Sequence, residues 1–214
     1  MSKGKGNRLF NFAKKAAPHR LKICLAIPNT GTIRIETLLS IVGILSATPN
    51  VDWFVDQKQS CYVEWNRTGL IQTAIREKCD KAFFLDTDVV VEGEVVNKLL
   101  ALNKPIVGAD YHMRKFPITN NVKIADENGK YIHVEPQDIP QVPFKAAAIP
   151  TGCMLLDVAT VQKIPYPWFD LTYFENGELE FGEDVFFCRK LIEHGVEIWC
   201  DPTIGIGHIG THVY

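Results

Sequence analysis

Asp86-Thr87-Asp88 interrupts an apolar run, with Ala82-Phe83-Phe84-Leu85 before it and Val89-Val90-Val91 after it. Two carboxylates flanking one Thr at the end of a buried strand are costly to bury unless something compensates them. A hard divalent cation, Mg2+ or Mn2+, does so through oxygen ligands and keeps positions open for phosphate. The plainer alternative is an Asp cap with an exposed neighbour, since Asp is common where strands turn into helices. Glu183-Asp184 forms a second acidic pair, just after Gly182. Acids in a first helical turn are favoured by the helix dipole. The functional reading is a carboxylate aimed into a cleft as a general base. His208 and His212 sit in a glycine-bracketed segment. They are either exposed histidines or an imidazole ligand completing a site begun by Asp86 and Asp88. Arg67 could meet a phosphate or nucleobase, or simply form a surface salt bridge. Trp168 and its aromatic neighbours either stack on a sugar ring or fill core.

The elements that must position these groups follow from periodicity. The run at 82–85 lacks polar alternation, as in a strand buried on both faces. Before it, strands are expected over 21–27 and 51–55, the second ending at Asp56. Helices are expected over 34–45 and 65–78. The first carries Ile35, Leu38, Leu39, Val42 and Leu45 at helical spacing. A helix over 93–102 and a strand over 105–109 follow. Strand–helix alternation of this kind argues a parallel sheet with right-handed crossovers. Ligands of such sheets sit beyond the carboxyl ends of the strands, where Pro28-Asn29-Thr30, Asp56 and Asp86-Thr87-Asp88 would all lie. After Asp110 the pattern changes. Apolar segments 122–124 and 130–134 flank Glu127-Asn128-Gly129 as a hairpin. Short apolar runs at 144–149 and 153–156 surround Pro150-Thr151-Gly152. A short helix over 158–164 leads to an aromatic, acidic loop over 165–182. A helix over 183–194, stopped by Gly195, and a strand over 196–200 complete the pattern.

The chain has 214 residues and a formal net charge of −2. That length suits one domain, or a core domain with a tail. A balance so close to neutral makes no electrostatic case for nucleic acid. The first 20 residues differ, with Lys3, Lys5, Arg8, Lys14, Lys15 and Arg20 and no acid. They read as a basic, flexible tail, whose Leu9, Phe10 and Phe12 could also touch an anionic membrane or a partner. Six cysteines without paired spacing read as free thiols in a reducing compartment. No signal peptide and no stretch near transmembrane length is evident. The expected place is the cytoplasm, with peripheral contact at a membrane through the tail. Asn66-Arg67-Thr68 matches a glycosylation sequon, read as chance.

Together these motifs resemble a GT-A-fold glycosyltransferase, of the compact family-2-like type of bacteria and large viruses. Asp86-Thr87-Asp88 resembles the family's DxD motif and Gly182-Glu183-Asp184 its ED motif. Pro28-Asn29-Thr30 is similar to the loop that receives the nucleoside, and Arg67-Thr68 stands where the family often has Arg-Asn. Tyr111 resembles a residue flanking the donor sugar. Thr151-Gly152-Cys153-Met154-Leu155-Leu156 is similar to the strand beneath the acceptor.

The resemblance implies an α/β GT-A (nucleotide-diphospho-sugar transferase) fold. Its central sheet would be mainly parallel and flanked by helices, with a small β-hairpin region, and 21–214 would form one domain. It implies Mn2+ or Mg2+ on Asp86, Asp88 and His208, with Asp184 as base of an inverting transfer. Pro28, Asn29, Thr30, Asp56, Arg67 and Thr87 would bind the nucleotide. Tyr111, Gly152, Trp168 and Glu183 would face the donor sugar and acceptor. The partners implied are a nucleoside-diphosphate sugar, with UDP the commonest nucleotide among look-alikes, and a carbohydrate or glycan acceptor. A sugar nucleotidyltransferase is the enzymatic alternative, although Pro28-Asn29-Thr30-Gly31-Thr32-Ile33-Arg34 matches its glycine-rich loop poorly. A non-catalytic carbohydrate- or nucleotide-binding module on the same fold is the other.

Overall fold

A computed structural model describes residues 20–114 and 117–210. The tail over 1–19 and His212 lie outside the described residues. The first half alternates as expected: β1 (Lys22–Asn29), α1 (Ile35–Ala47), β2 (Asp52–Gln59), α2 (Val63–Arg76) and β3 (Lys81–Leu85). It continues through β4 (Val89–Val91), α3 (Val95–Ala101) and β5 (Ile106–Gly108). The expected hairpin is β6 (Lys123–Ala125) with β7 (Tyr131–His133). Next come β8 (Phe144–Ala146), β9 (Cys153–Asp157) and α4 (Val158–Val161). The segment expected as one loop holds a second hairpin, β10 (Thr172–Tyr173) and β11 (Leu179–Phe181). Its strands are too short to show a period, but Gly177 in its turn has φ +83, where glycine is at ease. Then follow α5 (Glu183–Glu193), β12 (Ile198–Cys200) and β13 (Ile206–His208).

Seven strands form the central sheet in the order β2-β1-β3-β9-β5-β12-β8. β1 runs parallel to β2 and β3, and β12 parallel to β5. β9 lies antiparallel between β3 and β5, and β8 antiparallel on β12. The sheet is therefore mixed, with most strands sharing one direction. The reversal of β9 matters for the site. Its first residue, Cys153, pairs with Leu85, the last of β3. Thr151 and Gly152 are thereby delivered to the carboxyl end of β3.

Both sheet faces are covered. Phe84 points into a core shared with α2, α4 and α5, and Phe83 into one shared with α1 and α3. This is why 82–85 has no polar alternation. Five of the six cysteines are buried and all six are free. Among the described residues, no helix is long and apolar enough to cross a membrane.

Helix α1 faces the sheet differently from its apolar spacing. Ile35, Leu38, Leu39 and Val42 are exposed, whereas Thr37, Ser40, Ile41 and Ile44 are buried. The two inner hydroxyls explain the orientation. Thr37 Oγ1 donates to Thr87 O at 3.1 Å, and Ser40 Oγ accepts from Val91 N–H at 3.0 Å. The helix is apolar nearly all round, so hydrogen bonds to the 86–91 segment decide which side turns inward. Ile44→Ala should therefore cost about 2–5 kcal/mol, the range for emptying a buried aliphatic site. Leu39→Ala should stay within about 0.5 kcal/mol, as for a surface position. Urea unfolding of both variants checks the pair, and equal losses would contradict the observed facing.

Candidate active site

The turn Asp86-Thr87-Asp88 links β3 to β4, and each of its peptide groups is held by a different element. Asp86 N–H donates to Gly152 O at 3.0 Å. Thr87 O accepts from Arg34 N–H at 2.9 Å as well as from Thr37. Asp88 O accepts from Ile209 N–H at 2.8 Å. β13 pairs antiparallel with β4 so that His208 stands opposite Val89, next to Asp88. Gly152 lies so close behind the turn that a Cβ there would stand 2.5 Å from Asp86 Oδ2 and collide with the Tyr111 hydroxyl. Only a residue without a side chain fits.

A cleft of about 320 Å3 opens over this turn. Pro28, Thr30, Arg67, Asp86, Thr87, Asp88, Tyr111, Glu183, Asp184 and His208 all line it. Four expected site residues do not. Asp56 lies within β2, which runs on to Gln59, so it is not at a strand end; its carboxylate meets Lys58 Nζ at 2.8 Å. Asn29 builds the turn after β1, its Oδ1 accepting from Gly31 N–H at 2.7 Å. Gly152 supports Asp86 from behind. Trp168 is core: it is buried, and its Nε1 donates to Ile164 O at 2.9 Å. Asn66 is also buried, with Nδ2 donating to Asn29 O and Ser60 O, which does not suit a glycosylation acceptor.

The electrostatic centre is Arg67. Its Nη2 lies 3.0 and 3.2 Å from the two Asp86 oxygens, and its Nε 3.3 Å from Glu183 Oε1. Burial works against its charge, but Asp86 and then Glu183 keep it protonated. Burial likewise pushes the Asp86 carboxyl up, with Arg67 opposing. Arg67 Nη1 and Thr151 Oγ1 are buried with no hydrogen-bond partner among the described residues. Both residues line the cleft. Groups of this kind take a polar partner, either ordered water or a ligand.

Asp184 opens α5, with its Oδ1 accepting from Val185 N–H at 2.7 Å. Burial, and then the charge of Glu183, raise its pKa to about 6 from an ordinary 3.8. That brings it close to the pH at which a general base works best.

Among the described residues, no group of three or more His, Cys, Asp or Glu is placed to hold a metal. Asp86 is turned to Arg67, at 3.0 Å from its Nη2. Asp88 and His208 do fit a cation. His208 Nδ1 donates to His112 O at 2.9 Å. In the neutral ring this leaves the Nε2 lone pair facing Asp88 Oδ1 at 3.8 Å. Such a carbonyl-oriented imidazole is the usual setting of a metal-binding histidine. Asp88 Oδ2 is meanwhile balanced by Arg114 Nη1 at 2.8 Å.

Arg114 and Asn121 also line the cleft, as do Asn66 of the sequon and Thr151. Arg114 and Asn121 lie in a polar segment with no motif. Its fold is set by Asp110 Oδ1, which accepts from Asn121 N–H at 3.0 Å and Val122 N–H at 2.8 Å. Thr151 leads the segment that ends in β9, and its apolar followers mark a strand without marking the hydroxyl before it.

The raised Asp184 has a stability consequence. The folded chain holds this proton more tightly than the unfolded chain, so stability falls as pH rises from about 4 to about 6. Asp184→Asn keeps the Val185 contact and cannot ionise. It should nearly match the parent at pH 4 and exceed its thermal midpoint at pH 8 by roughly 6–12 °C, because about two pKa units are worth about 3 kcal/mol and each 1 kcal/mol moves the midpoint about 2–4 °C at this length. A lower midpoint at both pH values would contradict the raised pKa.

No protein-family model matches the chain, and no curated protein matches it. Among solved structures it is similar to A197 from STIV, with 18% identity and a TM-score of 0.60 over 89% of this chain and 86% of that one. It also aligns with GalNAc-T7, a structure with UDP, GalNAc and Mn2+, at 14% identity and a TM-score of 0.49. That alignment covers 89% of this chain and 38% of the other, and at such a score it carries no argument. The likeness to A197 is one of fold, and the architecture is the helix-flanked α/β sheet of the GT-A type.

Proposed function

We propose that this cleft transfers a glycosyl group from a nucleoside-diphosphate sugar, UDP being the favoured nucleotide, to an acceptor hydroxyl. The observation that supports this most is the meeting of Asp184, raised to about 6, with Asp88 and His208 in one cleft. Pro28 and Thr30 would contact the nucleoside. Arg67 Nη1 and Thr151 Oγ1 would gain the partners they lack, the first from a phosphate oxygen and the second from donor or acceptor. Tyr111, packed edge-on against His208 at 4.8 Å, would bound the donor sugar. Asp88 and His208 would hold Mn2+ or Mg2+, which supplies Lewis-acid stabilisation to the leaving diphosphate.

Asp184 takes the proton of the acceptor hydroxyl as its oxygen bonds to the anomeric carbon. The bond from that carbon to the diphosphate breaks, and its electron pair leaves with the nucleotide. Attack from the face opposite the leaving group inverts the anomeric configuration. Glu183, held by Arg67, fixes the start of α5 and thereby the position of Asp184.

The test uses UDP-sugars with a panel of saccharide acceptors. Asp184→Asn should lower transfer by roughly two to four orders of magnitude, the range for a lost general base, with UDP affinity by calorimetry nearly unchanged. Parental transfer should rise with pH through about 6, as Asp184 loses its proton. NMR should show an inverted anomer. Parental rates in Asp184→Asn, or a retained configuration, would remove Asp184 as the base. Asp88→Ala should separately abolish the Mn2+ dependence of UDP binding, and unchanged dependence would sink the metal assignment.

A further inference from the structure

The outer face of α1 has no partner within the described fold. Ile35, Leu38, Leu39 and Val42 are exposed at 63, 40, 64 and 60%. Their spacing makes one continuous stripe two turns long. Glu36 is the only charged residue in the helix. Val55 of β2 is also exposed. It lies on the same sheet face as Trp53, whose Nε1 donates to Thr48 at the end of α1. Soluble surfaces rarely leave such an apolar stripe without a use.

The charges at its two ends indicate what covers it. Arg34 is exposed immediately before the helix. Beyond the other end, Arg20 donates to Asn50 O at 2.9 Å and to Pro49 O. Arg20 is thereby held beside the end of α1. The residues up to Arg20 carry Lys3, Lys5, Arg8, Lys14 and Lys15 and no acid. An apolar stripe between cationic ends complements a layer of anionic lipid headgroups: side chains such as Leu39 enter the acyl boundary while Lys and Arg meet phosphates. A second copy on the same two-fold face would bring like charges together.

We propose that the outer face of α1 seats this protein on an anionic bilayer surface, with the N-terminal basic segment supplying the electrostatic attraction. This goes beyond the proposed transfer reaction and does not rest on it. The test is co-sedimentation of the full chain with phosphatidylcholine vesicles, with and without about 30 mol % phosphatidylserine. The expected result is binding to the anionic vesicles that weakens with salt. Lys14→Gln with Lys15→Gln should lower partitioning about 25-fold, at about fivefold per lysine. Leu39→Gln with Val42→Gln should lower it about tenfold or more, because two apolar anchors are lost. Both double variants should keep the parental thermal midpoint. Absence of vesicle binding would overturn the proposal. So would unchanged binding in the Leu39/Val42 variant, which would leave the basic segment as the sole contact. A lowered midpoint in that variant would mean the chain's own segment covers the stripe. A parental dimer that this variant dissociates, seen by light scattering, would assign the face to a second copy.

Discussion

One buried guanidinium holds the candidate site together. Arg67 is 3% exposed and joins three elements that are distant in sequence: α2, the turn after β3 and the first turn of α5. Taking this charge out of water is unfavourable unless its partners stay in place, and breaking a buried pair typically costs about 3–5 kcal/mol. The constraint acts on both sides. Asp86 is held toward α2, and Glu183 is kept at the helix start, where the dipole also favours it. Arg67 further lies over the Phe84 ring, with its guanidinium carbon 5.7 Å from the centroid, so the same group bears on the core.

The rest of the site inherits its precision from this junction and from close packing around it. β9 enters antiparallel, and its leading Thr151-Gly152 closes the back of the turn. No room remains there for a methyl group beside Asp86 and Tyr111. Thr37 and Arg34 grip Thr87 from α1, and Ile209 grips Asp88. Asp88 and His208 thus face each other across a gap set by strand pairing rather than by their own attraction. Groups held this way by backbone pairing need little reorganisation on meeting a ligand.

Two carboxylates of one cleft consequently sit in different electrostatic surroundings. Asp86 has a close cation in Arg67. Asp184 is helped by the Val185 N–H and less by Arg67 and Lys123, while burial and the adjacent Glu183 work against its charge. The acid that is poorly compensated is the one suited to exchange a proton. Helix α1 connects this centre to the outside, since its inner hydroxyls hold the turn while its outer side chains face away from the fold.

Much of this was legible in the sequence, and the limits have a physical cause. The unalternating run at 82–85 meant a strand covered on both faces, because every side chain there must leave water. Acidic residues at its end, and at the start of 183–194, marked positions where charge either caps an element or acts in a cleft. What local pattern reports is how apolar a residue is, not what will cover it. Helix α1 is apolar nearly all round, so hydrogen bonds from Thr37 and Ser40 chose its inner face. Asp56 was displaced because β2 extends through polar residues along a neighbour that pairs with it to the end. Trp168 went to the core because Ile164 O could satisfy its indole N–H. The arginine partners of Asp86 and Asp88 come from α2 and from a motifless loop, and no spacing along the chain encodes such meetings. Sequence by itself determined which residues could carry charge at strand and helix ends; only the tertiary structure decided which of those charges are neutralised and which remain available.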